Sequence, residues 1–190
     1  VTYANTSDNP SALVRTVSFI VNDGTVNSNT VTRNINVTPV NDAPVLAAIE
    51  GTALAYTENQ AATTITSTIT VSDVDNTNIA SATVQITGNY QNGQDVLAFT
   101  NAFGITGSFN AATGLLTLTG STTLANYQAA LRTVTYVNSS DNPSVLVRTV
   151  SFIVNDGTVN SNTVTRNINV TPVNDAPVLA AIEGTALAYT

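Results

Sequence analysis

The side chains in this sequence that could do chemistry are carboxylates and amides placed in turns and linkers. They occur as short motifs, such as Asp73-Val-Asp75 and Asp156-Gly157, between runs of apolar and Thr residues. Such oxygen-rich loops suit a hard cation such as Ca²⁺. We therefore predict that one Ca²⁺ binds at a junction formed by Asn41, Asp42, Asp73, Asp75 and Asp156, and that Glu58, Asn174 and Asp175 contribute to the next junction.

Strand direction explains why acids that are far apart in sequence should meet. If Asn41-Asp42 marks the top of a domain, the chain descends to Glu58 and climbs again through a strand that ends before Asp73. A later ascending strand delivers Asp156 to the top. The last strand descends to the pair at 174–175, beside Glu58. Carboxylates that crowd together repel each other unless a cation or protons neutralise them.

The residue types present allow few kinds of catalysis. The chain has no His, no Cys and no Lys, so a nucleophile activated by a neighbouring base cannot be assembled. A pair of carboxylates could hydrolyse a glycoside, but the acids lie in turns and linkers. We therefore expect no enzymatic activity. A net charge of −7 makes nucleic acid a poor partner, and no apolar run is long enough to span a membrane.

The chain repeats itself. Residues 1–57 recur as residues 134–190, an offset of 133 residues, with substitutions at Ala4/Val137, Thr6/Ser139 and Ala12/Val145. Self-similarity at a fixed long period indicates a tandem array. A proline-flanked linker, Thr38 to Val45, recurs as 171–178. We therefore divide the chain into one complete repeat (41–174), the C-terminal part of a preceding repeat (1–40) and the N-terminal part of the next (175–190).

Apolar residues alternate with Thr, Gln and Asn along most of the repeat, which predicts an all-β Greek-key sandwich. Ala82, Val84 and Ile86 illustrate the period of two, and a strand is predicted over Thr63–Val71. Asp-Gly and Asn-Gly turns separate the runs. The segment Ser121–Arg132 has helical spacing, so we predict one short helix capped by Ser121 or Thr122. Most aromatic side chains are expected in the core: Tyr56, Phe99, Phe103, Phe109, Tyr127, Tyr136 and Phe152.

Several motifs resemble those of cadherin repeats. Thr57-Glu-Asn-Gln60 is similar to their Pro-Glu-Asn element, Val71 to Asp75 to their Asp-x-Asp loop, and Asn174-Asp-Ala-Pro177 to their linker. The whole period more closely resembles the bacterial cadherin-like repeats of giant secreted surface adhesins, which are also similar to chondroitin-sulfate proteoglycan core repeats. The resemblance implies calcium at the junctions, a stalk or adhesive role and an extracellular location. Thr38 stands where the cadherin linker has Asp, so one ion per junction is expected rather than three.

Two classes of function stay open from the sequence. The first is a calcium-rigidified spacer in an extracellular bacterial adhesin or filament, whose partners are neighbouring copies of the repeat and other chains of a filament. The alternative is a carbohydrate- or protein-binding module. Each acidic motif also has a purely structural interpretation, because Asp and Asn are common turn formers. Four Asn-x-Ser/Thr sequences, at Asn5, Asn36, Asn138 and Asn169, are expected by chance in so Thr- and Asn-rich a chain.

Overall fold

The structure, a computed structural model, describes residues 1–189 and contains thirteen strands and one helix in that range. In chain order the elements are β1 (Arg15–Phe19), β2 (Val31–Ile35), β3 (Val45–Ala47), β4 (Leu54–Thr57), β5 (Thr63–Thr64), β6 (Thr70–Ser72), β7 (Asn78–Gly88), β8 (Asp95–Ala98), β9 (Thr106–Asn110), β10 (Leu115–Thr123), α1 (Leu124–Leu131), β11 (Thr135–Asn138), β12 (Arg148–Asn155) and β13 (Val164–Thr171). The all-β class predicted from the alternation is confirmed.

Two sheets enclose the core of the complete repeat. The larger has six strands in the order β4-β13-β12-β7-β10-β9, and the smaller has three in the order β5-β11-β8. Every pairing is antiparallel except that of β13 with β4, which is parallel. A short ribbon of β3 and β6 and the separate hairpin β1-β2 complete the described strands.

The core forms because alternate residues of each long strand point inward. Along β12 the buried residues are Arg148, Val150, Phe152 and Val154, and the predicted inward set of β7 is at most 2% exposed. Tyr56 and Tyr136 meet edge to face inside it, with ring centroids 5.1 Å apart. Burial of this apolar surface, at about 25 cal/mol per Å², is the main stabilising term. Phe103 is 44% exposed, so its predicted core position is wrong.

The helix is shorter than predicted. It spans Leu124–Leu131, and Thr123 is its N-cap, accepting a hydrogen bond at Oγ1 from the Asn126 amide. The predicted caps, Ser121 and Thr122, instead belong to β10, because this strand pairs with β7 as far as Thr123. Tyr127 and Leu131 are fully buried, as the spacing predicted. Within residues 1–189, no helix is both long and apolar enough to cross a membrane.

The predicted strand Thr63–Val71 is interrupted. Only its ends pair, as β5 and β6. Ile65 and Ile69 are fully buried as predicted, but Thr66 is buried and Ser67 is exposed, so the predicted alternation is wrong at these two positions. The Glu50 carboxylate accepts hydrogen bonds from the Ser67 amide at 2.8 Å and from the Thr66 hydroxyl at 2.6 Å. Those contacts replace the ladder and bend the segment out of the sheet.

Candidate junction site

The linker at the top of the sandwich is hydrogen-bonded to two loops of the repeat that follows it. The Asn41 side-chain amide donates to Asp156 Oδ2 at 2.8 Å, and its carbonyl oxygen accepts from Asn76 Nδ2 at 2.7 Å. The backbone amide of Asp42 donates to Asp75 Oδ2 at 3.0 Å. The five residues predicted from strand direction therefore lie together at one end of the sandwich.

The loop after β6 presents a carboxylate with a free oxygen. Asp73 Oδ1 accepts from the backbone amides of Asp75 at 3.1 Å and Asn76 at 2.9 Å, as in a capped turn. Its Oδ2 is buried and has no hydrogen-bond partner among the described residues. Burial, and then the neighbouring charge of Asp75, raises the pKa of Asp73. The loop therefore holds a carboxylate whose charge is poorly compensated.

Asp156 follows β12 and shapes the turn that leads to β13. Its Oδ1 accepts from the backbone amides of Thr158 and Val159 at 2.6 and 2.8 Å, while Gly157 takes a φ of +112°. Its Oδ2 is left for Asn41. Burial alone would raise the pKa of Asp156, but the hydrogen bonds from Asn41, Val159 and Thr158 outweigh it and lower the pKa to about 2. The carboxylate is therefore ionised at neutral pH.

Glu58 lies at the opposite end of the sandwich and is 5% exposed. Its Oε2 accepts from the Val173 backbone amide at 2.7 Å, and its own amide donates to the Thr171 carbonyl at 2.9 Å. Its Oε1 is buried and, in the part of the chain that the structure describes, has no partner. Glu58 therefore holds the start of the next linker and keeps one carboxylate oxygen free, while its predicted part in a calcium junction stays a prediction.

The two remaining predicted residues, Asn174 and Asp175, make fewer contacts. Asn174 donates from its side chain only to the carbonyl of Asp175, at 3.1 Å. Both residues line a shallow polar cleft together with Asp141 and Asn142 of the loop after β11. The equivalent cleft recurs in the first copy, where Asp8 and Asp42 are among the lining residues. The structure thus does not bring Asn174 or Asp175 to the Glu58 side chain itself.

Sequence reasoning missed two contributors. Asn76 donates to Asn41, and also to Asp75 Oδ1 at 3.2 Å, so it ties the loop to the linker. Its position directly after the Asp-x-Asp motif could have revealed it. The second is the loop containing Asp141, which lines one linker cleft as its equivalent loop around Asp8 lines the other. Only the packing of that loop beside the linker could have revealed this.

The arrangement is a hydrogen-bonded clamp on a linker, made of oxygen-rich groups. Within residues 1–189, no three acidic side chains are clustered closely enough to form a metal site as they stand. Asn41 and Asn76 are hydrogen-bonded to Asp156 and Asp75 instead. The candidate ligand atoms nevertheless match calcium in type, because they are carboxylate and amide oxygens and because the buried Asp73 Oδ2 has no hydrogen-bond partner among the described residues. The Ca²⁺ assignment stays a prediction.

Comparison with known proteins gives one partial likeness. No known family matches the chain. The chain is similar to halomucin of Haloquadratum walsbyi, at 36% identity over 91 residues. That match covers 45% of this chain and 1% of halomucin, so the chain corresponds to a very small part of a much longer relative. The cadherin-like resemblance is not tested by this likeness and remains a prediction.

Proposed function

We propose that this chain is a structural repeat of an extracellular surface protein, in which sandwiches joined by calcium-stiffened linkers act as a spacer. The single observation that carries the proposal is the attachment of the linker on both of its sides. Glu58 at the bottom of the sandwich accepts from the amide of Val173, where the next linker begins. Asn41 and Asp42, in the preceding linker, bond to the loops at the top.

The repeat makes these two halves parts of one junction. Val173 is equivalent to Val40, the residue directly before Asn41. In an array, the Glu58 of one repeat and the Asp73–Asn76 loop of the next therefore contact the same linker from opposite sides. A linker held at both ends cannot swivel freely, and the prolines on either side further restrict its backbone. Stiffness is the property that a spacer needs.

Calcium fits this composite junction better than either half alone. Asp42, Asp73, Asp75 and Asp156, with the amide oxygen of Asn41, would hold it from the following repeat, and the free oxygen of Glu58 would face it from the preceding one. The ion would neutralise the carboxylates and cross-link the linker to both repeats. Extracellular modules bind calcium with Kd of about 10⁻⁴ to 10⁻³ M. At millimolar calcium this adds on the order of 1 kcal/mol per site, so its main effect would be on stiffness.

The similarity to halomucin supports the location and the repetitive setting. The matched part is 1% of the length of halomucin. A chain whose ends repeat at 133 residues and whose relative is very long belongs naturally in an array. The recognition alternative is not favoured by the clefts found at the linkers, because among residues 1–189 no aromatic side chain on which a sugar could stack lines either of them.

The test is a calcium titration by calorimetry of this chain extended at its N-terminus to complete the preceding repeat, but not the linker before it, because residues 1–190 lack the Glu58 equivalent of that repeat. Thermal melting of the same protein is measured in calcium and in EDTA. We expect binding heat and a higher Tm in calcium, and loss of both in Asp73→Ala/Asp75→Ala. The matched pair is Asp156→Asn and Asp23→Asn. Asp23 makes the same turn contacts in the first copy, with Thr25 and Val26, but no linker residue within the described range 1–189 is bonded to it.

Calcium affinity should fall in Asp156→Asn and stay unchanged in Asp23→Asn, because only Asp156 contacts Asn41. Absence of binding heat and of any EDTA effect on melting would overturn the calcium assignment. It would leave a linker stiffened by hydrogen bonds and proline alone. Equal effects of the two substitutions would show that turn stability, rather than the junction, determines the response.

A further inference from the structure

The structure separates the four Asn-x-Ser/Thr sequences, which look alike in the sequence. We propose that Asn169, with its equivalent Asn36, is the N-glycosylated asparagine of the repeat, and that the folded repeat is incompatible with a glycan on Asn138. The proposal rests on the extracellular location proposed above, because Asn-linked glycans are added during export. It does not depend on calcium.

Burial makes Asn138 unsuitable as a glycosylation site. It is 4% exposed, and its side-chain amide donates to Asp95 Oδ1 at 2.6 Å inside the sandwich. The same carboxylate accepts from the Tyr136 hydroxyl at 2.6 Å and, through Oδ2, from Arg148 Nε at 3.2 Å. A glycan on the Asn138 nitrogen would have to break this network and could not fit between the sheets. A molecule modified there would fail to fold.

Asn169 has the opposite environment. It lies on the outer face of β13, between the buried Ile168 and Val170, and is exposed. Its neighbour across the ladder on β4 is Ala55, whose small side chain leaves room above the sheet. Within residues 1–189 the Asn169 side chain makes no hydrogen bond, and neither does the hydroxyl of Thr171, the residue that completes the acceptor sequence.

The neighbouring Asn167 shows that exposure alone does not make an asparagine an acceptor site. Asn167 lies on the same face of β13, but its side-chain oxygen accepts a hydrogen bond from Thr149 Oγ1 at 3.1 Å. The third residue of an acceptor sequence must be Ser or Thr, and here that position holds Asn169. Asn167 therefore lacks the hydroxyl that an N-glycosylation acceptor needs. Asn169 combines the acceptor sequence, an uncommitted amide and an open surface.

The modification would be an ordinary glycosyl transfer. The Asn169 side-chain nitrogen forms a bond to the anomeric carbon of a lipid-linked oligosaccharide, and the bond from that carbon to the lipid phosphate oxygen breaks. The amide loses one proton, and the lipid phosphate leaves with the electron pair. No oxidant or reductant is needed. In an array the glycans would recur every 133 residues on the same outer face of the large sheet.

The experiment is to secrete the chain from an animal cell, which supplies the oligosaccharide donor and transferase, and to map glycopeptides of the folded product by mass spectrometry. We expect glycan at Asn169 and Asn36 and none at Asn138. Thr171→Ala keeps the asparagine but should abolish its glycan. Asn167→Gln, on the same strand face, should leave it in place.

The first copy supplies an internal control for burial. Asn5 has the same acceptor spacing as Asn138, but it is exposed in this chain. We expect Asn5 to be modified where Asn138 is not. Glycan on Asn138 of the folded protein, or an unmodified Asn169, would overturn the proposal, whether or not the other sites are occupied. Calcium binding of Asn169→Gln should equal that of the unmodified chain, so failure here would not bear on the junction.

Discussion

Two regions with nearly the same sequence have different surroundings. Residues 134–173 are packed against the body of the complete repeat, whereas residues 1–40 form a separate hairpin with no such body in the described chain. Tyr136 and Phe152 are fully buried, but their equivalents Tyr3 and Phe19 are 45% and 41% exposed. The comparison separates what a segment does by itself from what its partners impose.

Local features survive in both copies. Arg15 pairs with Ile35 as Arg148 pairs with Ile168, so the hairpin register is the same. The turn after the first strand is also conserved between copies, and hydrogen bonds from Val26 and Thr25 lower the pKa of Asp23 to about 2. Features that depend on longer-range contacts are lost in the first copy. β12 has eight residues and β1 has five, and the residues equivalent to β11 form no strand.

The largest expected difference between the copies comes from truncating a core aromatic. Phe152→Ala should lower the free energy of unfolding by about 3–5 kcal/mol, because it removes buried surface and leaves a cavity. Phe19→Ala should change it by roughly 0.5 kcal/mol or less, as for other exposed positions. Urea denaturation of the two variants measures this. Equal losses would mean that the hairpin 1–40 is buried in solution against another copy.

The buried polar network should give the next largest difference. Tyr136→Phe removes a hydrogen bond to the Asp95 carboxylate and should lower the free energy of unfolding by about 1.5–3 kcal/mol. Tyr3→Phe is the matched control, because its hydroxyl contacts only Asn5, at 3.4 Å. The same denaturation experiment applies. A null result for Tyr136→Phe would indicate that water replaces the lost hydroxyl.

Glu50 and its equivalent Glu183 extend the comparison to pH. Burial alone would raise the pKa of Glu50, but hydrogen bonds from Ser67 and Thr66 outweigh it and lower the pKa from 4.5 to about 2. A depressed pKa means that the carboxylate stabilises the fold above pH 4.5 and that this contribution is lost as pH falls towards 2. Glu50→Gln should cost about 1–2 kcal/mol at neutral pH and flatten this acid dependence.

Glu183→Gln serves as the control, since Glu183 is exposed and makes no such contacts among residues 1–189. Its unfolding curve should follow that of the unmodified chain from neutral pH to pH 2. The interpretation fails if both variants lose acid dependence together.

The smallest effect on stability should come from one of the three positions at which the two copies differ in sequence. Val137 is half-buried and packs against the core, whereas Ala4 is exposed. Val137→Ala should cost about 1 kcal/mol through lost burial. Ala4→Val, which makes the copies more alike, should be close to neutral. Paired Tm measurements would resolve the two, and a stabilising Ala4→Val would indicate contacts made by the first copy in solution.

The sequence by itself determined the features that depend on nearest neighbours and period. The 133-residue repeat, the inward set of β7 and the Asp156-Gly157 turn all followed from it. Strand direction was enough to predict that Asn41, Asp73 and Asp156 would meet, because each alternate strand ends at the same side of a sandwich. The metal itself was not determined, since the same motifs also serve as turns.

Only the tertiary structure decided the features that depend on what lies across the core. Glu50 bends the segment after β5, and pairing with β7 extends β10 to Thr123 and delays the helix. Asn138 and Asn169 have similar acceptor sequences, but one completes a buried carboxylate network and the other faces outward. Burial and long-range hydrogen bonds are set by residues distant in sequence, so no local pattern can encode them.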